Sequence, residues 1–398
     1  MQPPIPLNEA QARLLTSVSA LPAEELPVEA ALGRCLAAPL AARRTQPSAD
    51  LSAMDGYALR LGESGPWRVV GESAAGHPFP GTVGPGEAIR ISTGALMPAG
   101  ANAVLLQENT TRDGDRLSLN GEGEPRARHI RRAGFDFRTG DELMVPGTRI
   151  GPAQIALALS AGNATLPVHR LPHLAILDSG DELAVDPSEC APHQIPASNG
   201  AMLAAMAQGL AGDIQRIGPV ADDLGALAQA LEAAGDSDVI VTSGGASVGD
   251  HDLIRPALEA WGAQIDFWRV AMKPGKPLLV ARKGGTIVLG LPGNPVSSFV
   301  TGFFFLLPLL RALAGDRQPL PIPLPLPLGA DLPAGGARME FLRASLQGGT
   351  AVPVMEQDSS ALRAMASAGL LIERPAGAPA AIRGTSAPAY LIGNGGVA

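Results

Sequence analysis

Three glycine-rich segments stand directly after apolar runs that predict strands. They read Ser179-Gly180-Asp181-Glu182, Ser243-Gly244-Gly245-Ala246-Ser247-Val248-Gly249 and Gly290-Leu291-Pro292-Gly293-Asn294-Pro295. Glycine lets backbone N–H groups approach an anion closely, and the helix N-terminus that follows such a loop favours negative charge. A tight turn explains any one of these segments, whereas three of them on one sheet favour a phosphate-bearing ligand.

Charged side chains accompany these loops. Lys273 and Lys276 lie in a Lys-Pro-Gly-Lys-Pro segment, where the stiff prolines would let both ammonium groups face a polyanion; two solvated surface lysines are the alternative. Asp250 and Asp252 could bind Mg²⁺ beside phosphates, whereas Asp222 could instead cap the helix that follows it. The acidic residues at these loop positions are Asp181, Glu182, Asp222, Asp250 and Asp252.

Three polar segments in the N-terminal half carry no chemistry that their residues alone would assign. By physical reasoning they predict turns and surface charges. They read Ser52-Ala53-Met54-Asp55-Gly56-Tyr57-Ala58, Ser92-Thr93-Gly94-Ala95 and Arg131-Arg132-Ala133-Gly134-Phe135-Asp136.

The elements that must position these loops follow from the spacing of apolar residues. The pattern predicts helix over residues 8–40 with a turn near Pro22, and residues 43–140 alternate short apolar runs with Gly/Pro turns, as in a small β-rich domain. From Leu174 the pattern becomes strand, loop, helix, and the β-branched run at 238–241 is typical of a strand buried on both faces. An open α/β sheet of this kind binds ligands beyond the carboxyl ends of its strands.

The C-terminal third contains a long apolar run and a proline-rich segment. Residues 296–310 predict a buried helix, too short to span a bilayer and broken by Pro308. Alternating prolines over residues 319–330 exclude a central strand or helix, and we expect an extended linker or edge strand rather than a proline-motif ligand. Residues 331–398 predict a second small β-rich unit.

Composition sets the broad class. The chain has 398 residues and a net charge of −8, with 46% hydrophobic and 17% charged residues. These values exclude a disordered chain and argue against a nucleic-acid binder. Cys35 and Cys190 cannot form a disulfide framework, and neither stands at zinc-ligand spacing. Because the N-terminus also lacks the pattern of a signal peptide, we expect a cytoplasmic enzyme.

Together the motifs resemble one family, molybdopterin molybdenumtransferase, which includes MoeA and the E domain of gephyrin. Ser-Ala-Met-Asp-Gly-Tyr-Ala, Ser-Thr-Gly-Ala, Ser-Gly-Gly-Ala-Ser-Val-Gly, Lys-Pro-Gly-Lys-Pro and Gly-Leu-Pro-Gly-Asn-Pro-Val-Ser-Ser occur in the family's order. The resemblance implies a multidomain α/β and β architecture. Its parts would be a linking domain (1–42 and 141–173, whose first helix could pack on the α/β domain), a β-rich inserted domain (43–140), a central three-layer α/β domain of the MoaB/Mog type (174–318) and a C-terminal β-barrel domain (319–398).

The resemblance also implies a reaction. The family takes adenylylated molybdopterin and molybdate, hydrolyses the adenylate with Mg²⁺, inserts molybdenum at the dithiolene and releases AMP. The implied catalytic residues are Asp55, Thr93, Asp136, Glu182, Asp222, Asp252, Lys273 and Lys276, with Glu182, Asp222 and Asp252 as metal ligands. The implied substrate contacts are Ser243, Gly244, Gly245, Ser247, Gly249, Pro292, Gly293, Asn294, Pro295, Arg343 and Ser359 or Ser360.

The implied assembly is an elongated two-fold dimer. Asp55 and Thr93 of the β-rich domain would enter the partner chain's cleft, and Lys273, Lys276 and Arg343 would contact molybdate or phosphate. Molybdopterin adenylyltransferase and downstream molybdoenzyme maturation proteins are the expected partners, without nucleic acid or membrane.

The chain departs from the family pattern at three places. Phe135 stands where the family often has Glu, Asp178 where it often has Ser, and Ala197 where it often has Asp. These changes leave altered ligand preference or a weakened site open. The alternative functions are a molybdopterin adenylyltransferase, disfavoured by the loop after Gly245 and by the flanking domains, and a non-catalytic molybdopterin-binding scaffold.

Overall fold

The computed structural model describes residues 4–121, 123–244, 253–275 and 277–392. Its N-terminal segment contains helix α1 (Leu7–Thr16), strand β1 (Ala23–Pro27), a 3₁₀ turn (Val28–Ala31) and strand β2 (Leu40–Ala41). The prediction of helix over residues 8–40 is therefore wrong beyond Thr16. Pro22 and Pro27 cannot lie inside a helix, and β1 pairs antiparallel with a strand that the chain forms far later, at Thr165–His169.

The β-rich domain follows as predicted. One sheet has the strand order β7-β4-β6-β5-β9-β8, and its two faces are covered by separate apolar clusters, one around Trp67 and Leu105 and the other around Ile89 and Val104. The strands are β3 (Leu51–Ser52), β4 (Gly56–Leu59), β5 (Trp67–Ser73), β6 (Glu87–Ile91), β7 (Ala103–Leu106), β8 (Thr110–Asp113), β9 (Arg116–Leu119) and β10 (Ile130–Arg131).

The chain then returns to its N-terminal segment. Strand β11 pairs with β2 and strand β12 with β1, both antiparallel, and Leu36, Ile150, Ala158 and Leu166 form the small core between them. The elements are β11 (Glu142–Met144), α2 (Pro152–Ser160) and β12 (Thr165–His169). Pro152 stands in the first turn of α2, where its missing N–H has no helical partner to lose.

The α/β domain has three layers around a six-stranded sheet of order β16-β13-β17-β21-β20-β18. Strands β16, β13, β17 and β21 are parallel to one another. Strand β20 pairs antiparallel with β21, and β18 pairs antiparallel with β20. Its elements to the end of the sheet are β13 (His173–Ser179), β14 (Leu183–Ala184), β15 (Ile195–Pro196), α3 (Asn199–Ala207), β16 (Asp213–Val220), α4 (Leu224–Ala233), β17 (Val239–Ser243), α5 (Ile254–Ala260), β18 (Gln264–Arg269), β19 (Met272–Lys273), β20 (Pro277–Lys283) and β21 (Thr286–Leu291).

Alternate residues of the central strands face opposite layers. Leu174 and Ile176 of β13 pack toward α1, α3 and the long helix after β21, whereas Ala175 and Leu177 pack toward α4 and α5. Because successive strand side chains point to opposite faces, both faces of this sheet must be apolar. The predicted three-layer α/β architecture is therefore confirmed.

The long helix after β21 runs through Pro308 rather than breaking there. It consists of α6 (Pro295–Thr301), a π-helical turn (Gly302–Leu306) and α7 (Leu307–Leu313). A proline at 308 cannot donate the helical bond to the Phe304 carbonyl oxygen, and the buried Gln11 of α1 donates its Nε2–H to that oxygen at 3.0 Å. The wider π turn and this side-chain donor explain why the helix continues.

This helix is also the only described one long and apolar enough to cross a membrane by length and composition alone. In the folded chain 83% of its 18-residue window is buried inside the protein. Phe304, Phe305 and Leu309 lie in the core of the α/β domain, which agrees with the predicted buried helix.

The C-terminal domain forms a small barrel. Its strands follow the order β19-β23-β25-β26-β22, with β24 paired to β23, and a bridge between Leu328 and Ala351 joins the end of β22 to β24. The elements are β22 (Leu324–Pro327), β23 (Met339–Gln347), β24 (Thr350–Pro353), α8 (Leu362–Ala366), β25 (Leu370–Arg374) and β26 (Ser386–Leu391). The proline-rich segment thus supplies the predicted edge strand, and β19 carries the α/β domain into the barrel sheet.

Candidate functional site

The candidate site lies at the carboxyl edge of the parallel strands. Asp178 of β13 pairs in register with Ser243 of β17, and Ser243 pairs with Leu291 of β21, so the three glycine-rich loops leave the sheet at one level. A Cβ added to Gly293 would stand 3.5 Å from the Gly244 Cα atom. The start of the second loop therefore lies against the third loop, as an anion cradle requires.

Gly244 has a backbone that only glycine adopts easily. Its φ angle is +99°, and a Cβ there would stand 2.6 Å from the carbonyl oxygen of Ser179. The chain thus leaves β17 by passing directly over the first loop. The remainder of this loop, with the predicted contacts Gly245, Ser247 and Gly249 and the carboxylates Asp250 and Asp252, lies outside the described residues.

Buried hydroxyl groups stand beneath the cradle. The side-chain oxygens of Ser179, Thr242 and Ser243 are buried and have no hydrogen-bond partner within the part of the chain that the structure describes. Buried polar atoms in a folded protein are normally hydrogen-bonded, and each exception calls for a physical explanation. These hydroxyls are therefore candidates to face a ligand or the loop that binds it.

Carboxylates collect beside the first loop. The Glu182 side chain folds back over Gly180, where a Cβ would stand 2.5 Å from Oε2, and Asp181 Oδ1 accepts a hydrogen bond from the Asp222 N–H at 3.1 Å. The predicted capping alternative for Asp222 is wrong, because Asp223 caps α4 by accepting from the Ala226 N–H at 2.9 Å. Asp222 is left at the loop with Asp181 and Glu182.

These carboxylates do not by themselves assemble the predicted metal site. Within the part of the chain that the structure describes, no group of three or more His, Cys, Asp or Glu side chains could hold a metal ion. Of the predicted ligands, Glu182 and Asp222 are described and Asp252 is not. All three offer oxygen atoms, the donor type that Mg²⁺ prefers.

The third loop is held from two sides. Asn199, the first residue of α3, donates its Nδ2–H to the Gly293 carbonyl oxygen at 2.7 Å. Asn294 occupies the N-cap position of α6 but makes no capping bond; its Nδ2 donates instead to Ser359 Oγ of the C-terminal domain at 3.2 Å. The Ser359 carbonyl oxygen also accepts from the Val296 N–H at 3.2 Å. Pro292 and Pro295 flank this anchored turn.

Arg343 supports the C-terminal-domain loop whose Ser359 contacts the third loop. Its side chain is only 1% exposed, and it donates to the carbonyl oxygens of Glu356 and Asp358 at 2.9 Å each. Burial lowers the pKa of the Arg343 guanidinium, partly offset by the charges of Glu356 and Asp358. The guanidinium that the resemblance assigns to molybdate or phosphate is bonded to the backbone of the loop that presents Ser359.

Lys273 lies at the junction of the two sheets. Its Nζ donates to Glu340 Oε1 at 3.0 Å, with 58% of the lysine side chain exposed. Gly275 follows with a φ angle of +102°, and a Cβ there would stand 2.5 Å from Thr301 Cγ2 of α6. The lysine segment therefore packs on the helix that starts at the third loop. Lys276 lies outside the described residues.

The β-rich domain brings its predicted residues to one end. Asp55 Oδ1 accepts a hydrogen bond from the Thr93 N–H at 2.8 Å, and both residues are exposed. Asp136, also exposed, follows strand β10, which pairs with β3. Asp50, which sequence reasoning missed, joins these segments by accepting from the Ala133 N–H at 2.9 Å and from Arg132 at 2.6 Å.

Two further residues at the cleft were not predicted to act there. Asp178 is 3% exposed, and Asn199 holds the third loop. The only sequence signal for them was their position, since Asp178 and Ala197-Ser198-Asn199 are places where the chain departs from the family pattern.

Family models match almost the whole chain. They describe the MoeA N-terminal region (domains I and II) over residues 5–162, a probable molybdopterin-binding domain over residues 175–312 and the MoeA C-terminal region (domain IV) over residues 325–392.

Named relatives and solved structures agree with these models. A molybdopterin molybdenumtransferase of Staphylococcus aureus is 32% identical over 388 residues, which cover 94% of this chain and 92% of the relative. One of Haemophilus influenzae is 34% identical over 317 residues, 78% of each chain. The crystal structure of a molybdopterin biosynthesis MoeA protein from Pyrococcus horikoshii superimposes with a TM-score of 0.85 at 26% identity, covering 98% of this chain and 100% of that one.

Proposed function

Because this chain belongs to the molybdopterin molybdenumtransferase (MoeA) family, we propose that it inserts molybdenum into adenylylated molybdopterin during molybdenum cofactor biosynthesis. Its substrates would be molybdate and the adenylylated pterin, and its second product AMP. The observation that carries the proposal is the pair of glycine loops lying side by side, with Gly293 against Gly244 at the carboxyl edge of the sheet.

Both substrates are anions, and the cleft offers what anions need. Backbone N–H groups at Gly244 and Gly293 can approach phosphate oxygens closely, and α6 begins directly after the third loop. Lys273 would supply positive charge, since its exposed ion pair with Glu340 contributes at most about 1 kcal/mol and can exchange for a ligand contact. We assign Lys276 the same task.

Glu182, Asp222 and Asp252 would hold Mg²⁺ through oxygen atoms. The hydrogen bond between Asp181 and the Asp222 backbone supports this assignment, because it keeps the ends of β13 and β16 together. When bound, the ion would neutralise charge on the phosphates. The buried hydroxyls of Thr242 and Ser243 would offer hydrogen bonds to the loop or the ligand above them.

We further propose a homodimer in the cytoplasm with active sites shared between chains. The exposed Asp55, Thr93 and Asp136 of one chain would complete the cleft of the other, since they lie in the β-rich domain rather than at the carboxyl edge of the α/β sheet. Molybdopterin adenylyltransferase would deliver the substrate, and maturation proteins of molybdoenzymes would receive the product.

The test measures AMP released from adenylylated molybdopterin with Mg²⁺, with and without molybdate. We expect release that depends on molybdate. Lys273→Ala should slow it, whereas Lys283→Ala, which removes another exposed lysine paired with a glutamate far from the cleft edge, should not. Formation of adenylylated molybdopterin from molybdopterin and ATP would identify an adenylyltransferase instead. Tight binding without AMP release would identify a scaffold.

A further inference from the structure

Helix α3 lacks a cap from its own segment. Its N-cap residue Ser198 makes no side-chain capping bond. The first N–H groups of a helix have no partner within the helix and need one from elsewhere. Gly200, in the first turn of α3, lies against the carboxylate of Asp178 at the end of β13, and its backbone N–H favours the charged form of that carboxylate. Asp178 therefore places a carboxylate at the first turn of α3 from a different element.

The pairing of Asp178 and Gly200 is sterically matched. Gly200 is buried, and a Cβ added to it would overlap Oδ2 of Asp178. Any other residue at 200 would displace the carboxylate or the helix. The φ angle of Gly200 is not positive, so space rather than backbone conformation requires glycine here.

The Asp178 carboxylate has few other polar contacts among the described residues. Among the described residues its buried Oδ1 atom has no hydrogen-bond partner, and Arg216 of β16 approaches Oδ2 only to 3.8 Å. Burial of a carboxylate costs desolvation energy, and this carboxylate packs against the first turn of α3. That start is where Asn199 donates to the Gly293 carbonyl oxygen at 2.7 Å.

We propose that Asp178 is a positioning residue for the third loop, acting through the first turn of α3 and Asn199 to hold Gly293 against Gly244. This inference rests on the proposed function, because it takes the third loop as part of the substrate site. A helix held at its first turn fixes Asn199, and Asn199 in turn fixes the loop backbone that would contact the phosphates.

The test compares four variants. Asp178→Ala removes the carboxylate at the first turn of α3, Asp178→Asn keeps an acceptor oxygen, Gly200→Ala introduces the overlap, and Asp213→Asn changes an exposed aspartate at the opposite end of the neighbouring strand. We expect Asp178→Ala to raise KM for adenylylated molybdopterin about five- to tenfold with little change in kcat, because a binding loop loses its support in ground and transition states alike. Asp178→Asn and Asp213→Asn should stay close to wild type.

A purely structural role would give a different result. Asp178→Ala would then lower kcat through a smaller fraction of folded enzyme and leave KM unchanged, and the proposal would be wrong.

A second readout does not need activity and so separates this proposal from the proposed function. Gly200→Ala should lower the thermal midpoint by about 5 °C or more, and adding Asp178→Ala should restore it to that of the single Asp178→Ala variant. Hydrogen exchange at the third loop should rise in Asp178→Ala and not in Asp213→Asn. Strictly additive losses in the double variant, or unchanged exchange at the loop, would overturn the inference even if the enzyme is active.

Discussion

Replacing Arg343 separates two roles that one residue could have at this site. As a direct anion contact, which the family resemblance implies, its charge would matter most. As a buried support, its two bonds to the carbonyl oxygens of Glu356 and Asp358 would matter most. Arg343→Lys keeps the charge but loses the planar fork that makes both bonds together.

The expected decrease in the free energy of unfolding follows from these two hydrogen bonds. Each bond joins a charged donor to a carbonyl oxygen, a type that contributes about 1.5–3 kcal/mol, and the side chain is 1% exposed, so water cannot replace it. We expect Arg343→Met to lower the free energy of unfolding by about 3 kcal/mol, and Arg343→Lys to lose most of the same amount.

The assay is urea denaturation of both variants with hydrogen exchange at residues 354–360. The exposed Arg363→Lys in α8 is the matched control and should leave the free energy of unfolding within about 0.5 kcal/mol of wild type. If Arg343→Lys is equally neutral for stability while molybdate-dependent AMP release is lost, the guanidinium contacts the anion and the support role is refuted.

Three further predictions concern buried or paired groups. Gln11→Leu should lower the free energy of unfolding by about 1–3 kcal/mol, because it removes a bond to the Phe304 carbonyl oxygen; a neutral result in urea denaturation would contradict this. Burial, only partly offset by Arg216, raises the pKa of Asp178 above its ordinary value, so the native state binds the proton more tightly than the unfolded chain. The stability from this group is present at low pH and lost as pH rises, and Asp178→Asn should gain on wild type between pH 4 and pH 8; a difference independent of pH would exclude a raised pKa. Lys273→Ala should change stability by no more than about 1 kcal/mol yet raise KM for the adenylylated substrate, and unchanged KM would remove Lys273 from the site.

Local patterns in the sequence predicted the architecture where each element carries its own signal. The β-branched run of β17 and the alternation of strands and helices correctly predicted an open α/β sheet, and the glycine segments lie at the carboxyl ends of β13, β17 and β21. The alternating prolines that run through β22 correctly indicated an edge strand, because a proline has no N–H to donate to a neighbouring strand.

The wrong predictions of secondary structure concern segments whose conformation depends on contacts outside the local sequence. Strand β1 looks helical alone, and its identity comes from pairing with β12. Pro308 reads as a helix break, yet Gln11 of α1 and a π turn accommodate it. Two adjacent aspartates, Asp222 and Asp223, both suit a helix cap, and only the backbone geometry decides that Asp223 fills it.

At the candidate site, too, some features follow from local sequence and others depend on tertiary contacts. Motifs predicted which segments matter, but the roles of individual side chains depend on burial. Arg343 belongs to the right segment yet faces the loop backbone, and Asp178 is a departure from the family pattern that becomes interpretable only beside Gly200. A contact between a glycine and a buried carboxylate distant in sequence produces no periodic pattern by which it could be predicted.

The most direct measurement of the central claim follows both products of one reaction. Purified protein would be mixed in a single turnover with adenylylated molybdopterin, Mg²⁺ and molybdate, and the AMP released and the molybdenum recovered with the pterin would be quantified together. The proposed function predicts equimolar AMP and pterin-bound molybdenum, with neither formed when molybdate is omitted. AMP release that ignores molybdate, or AMP without molybdenum on the pterin, would contradict it.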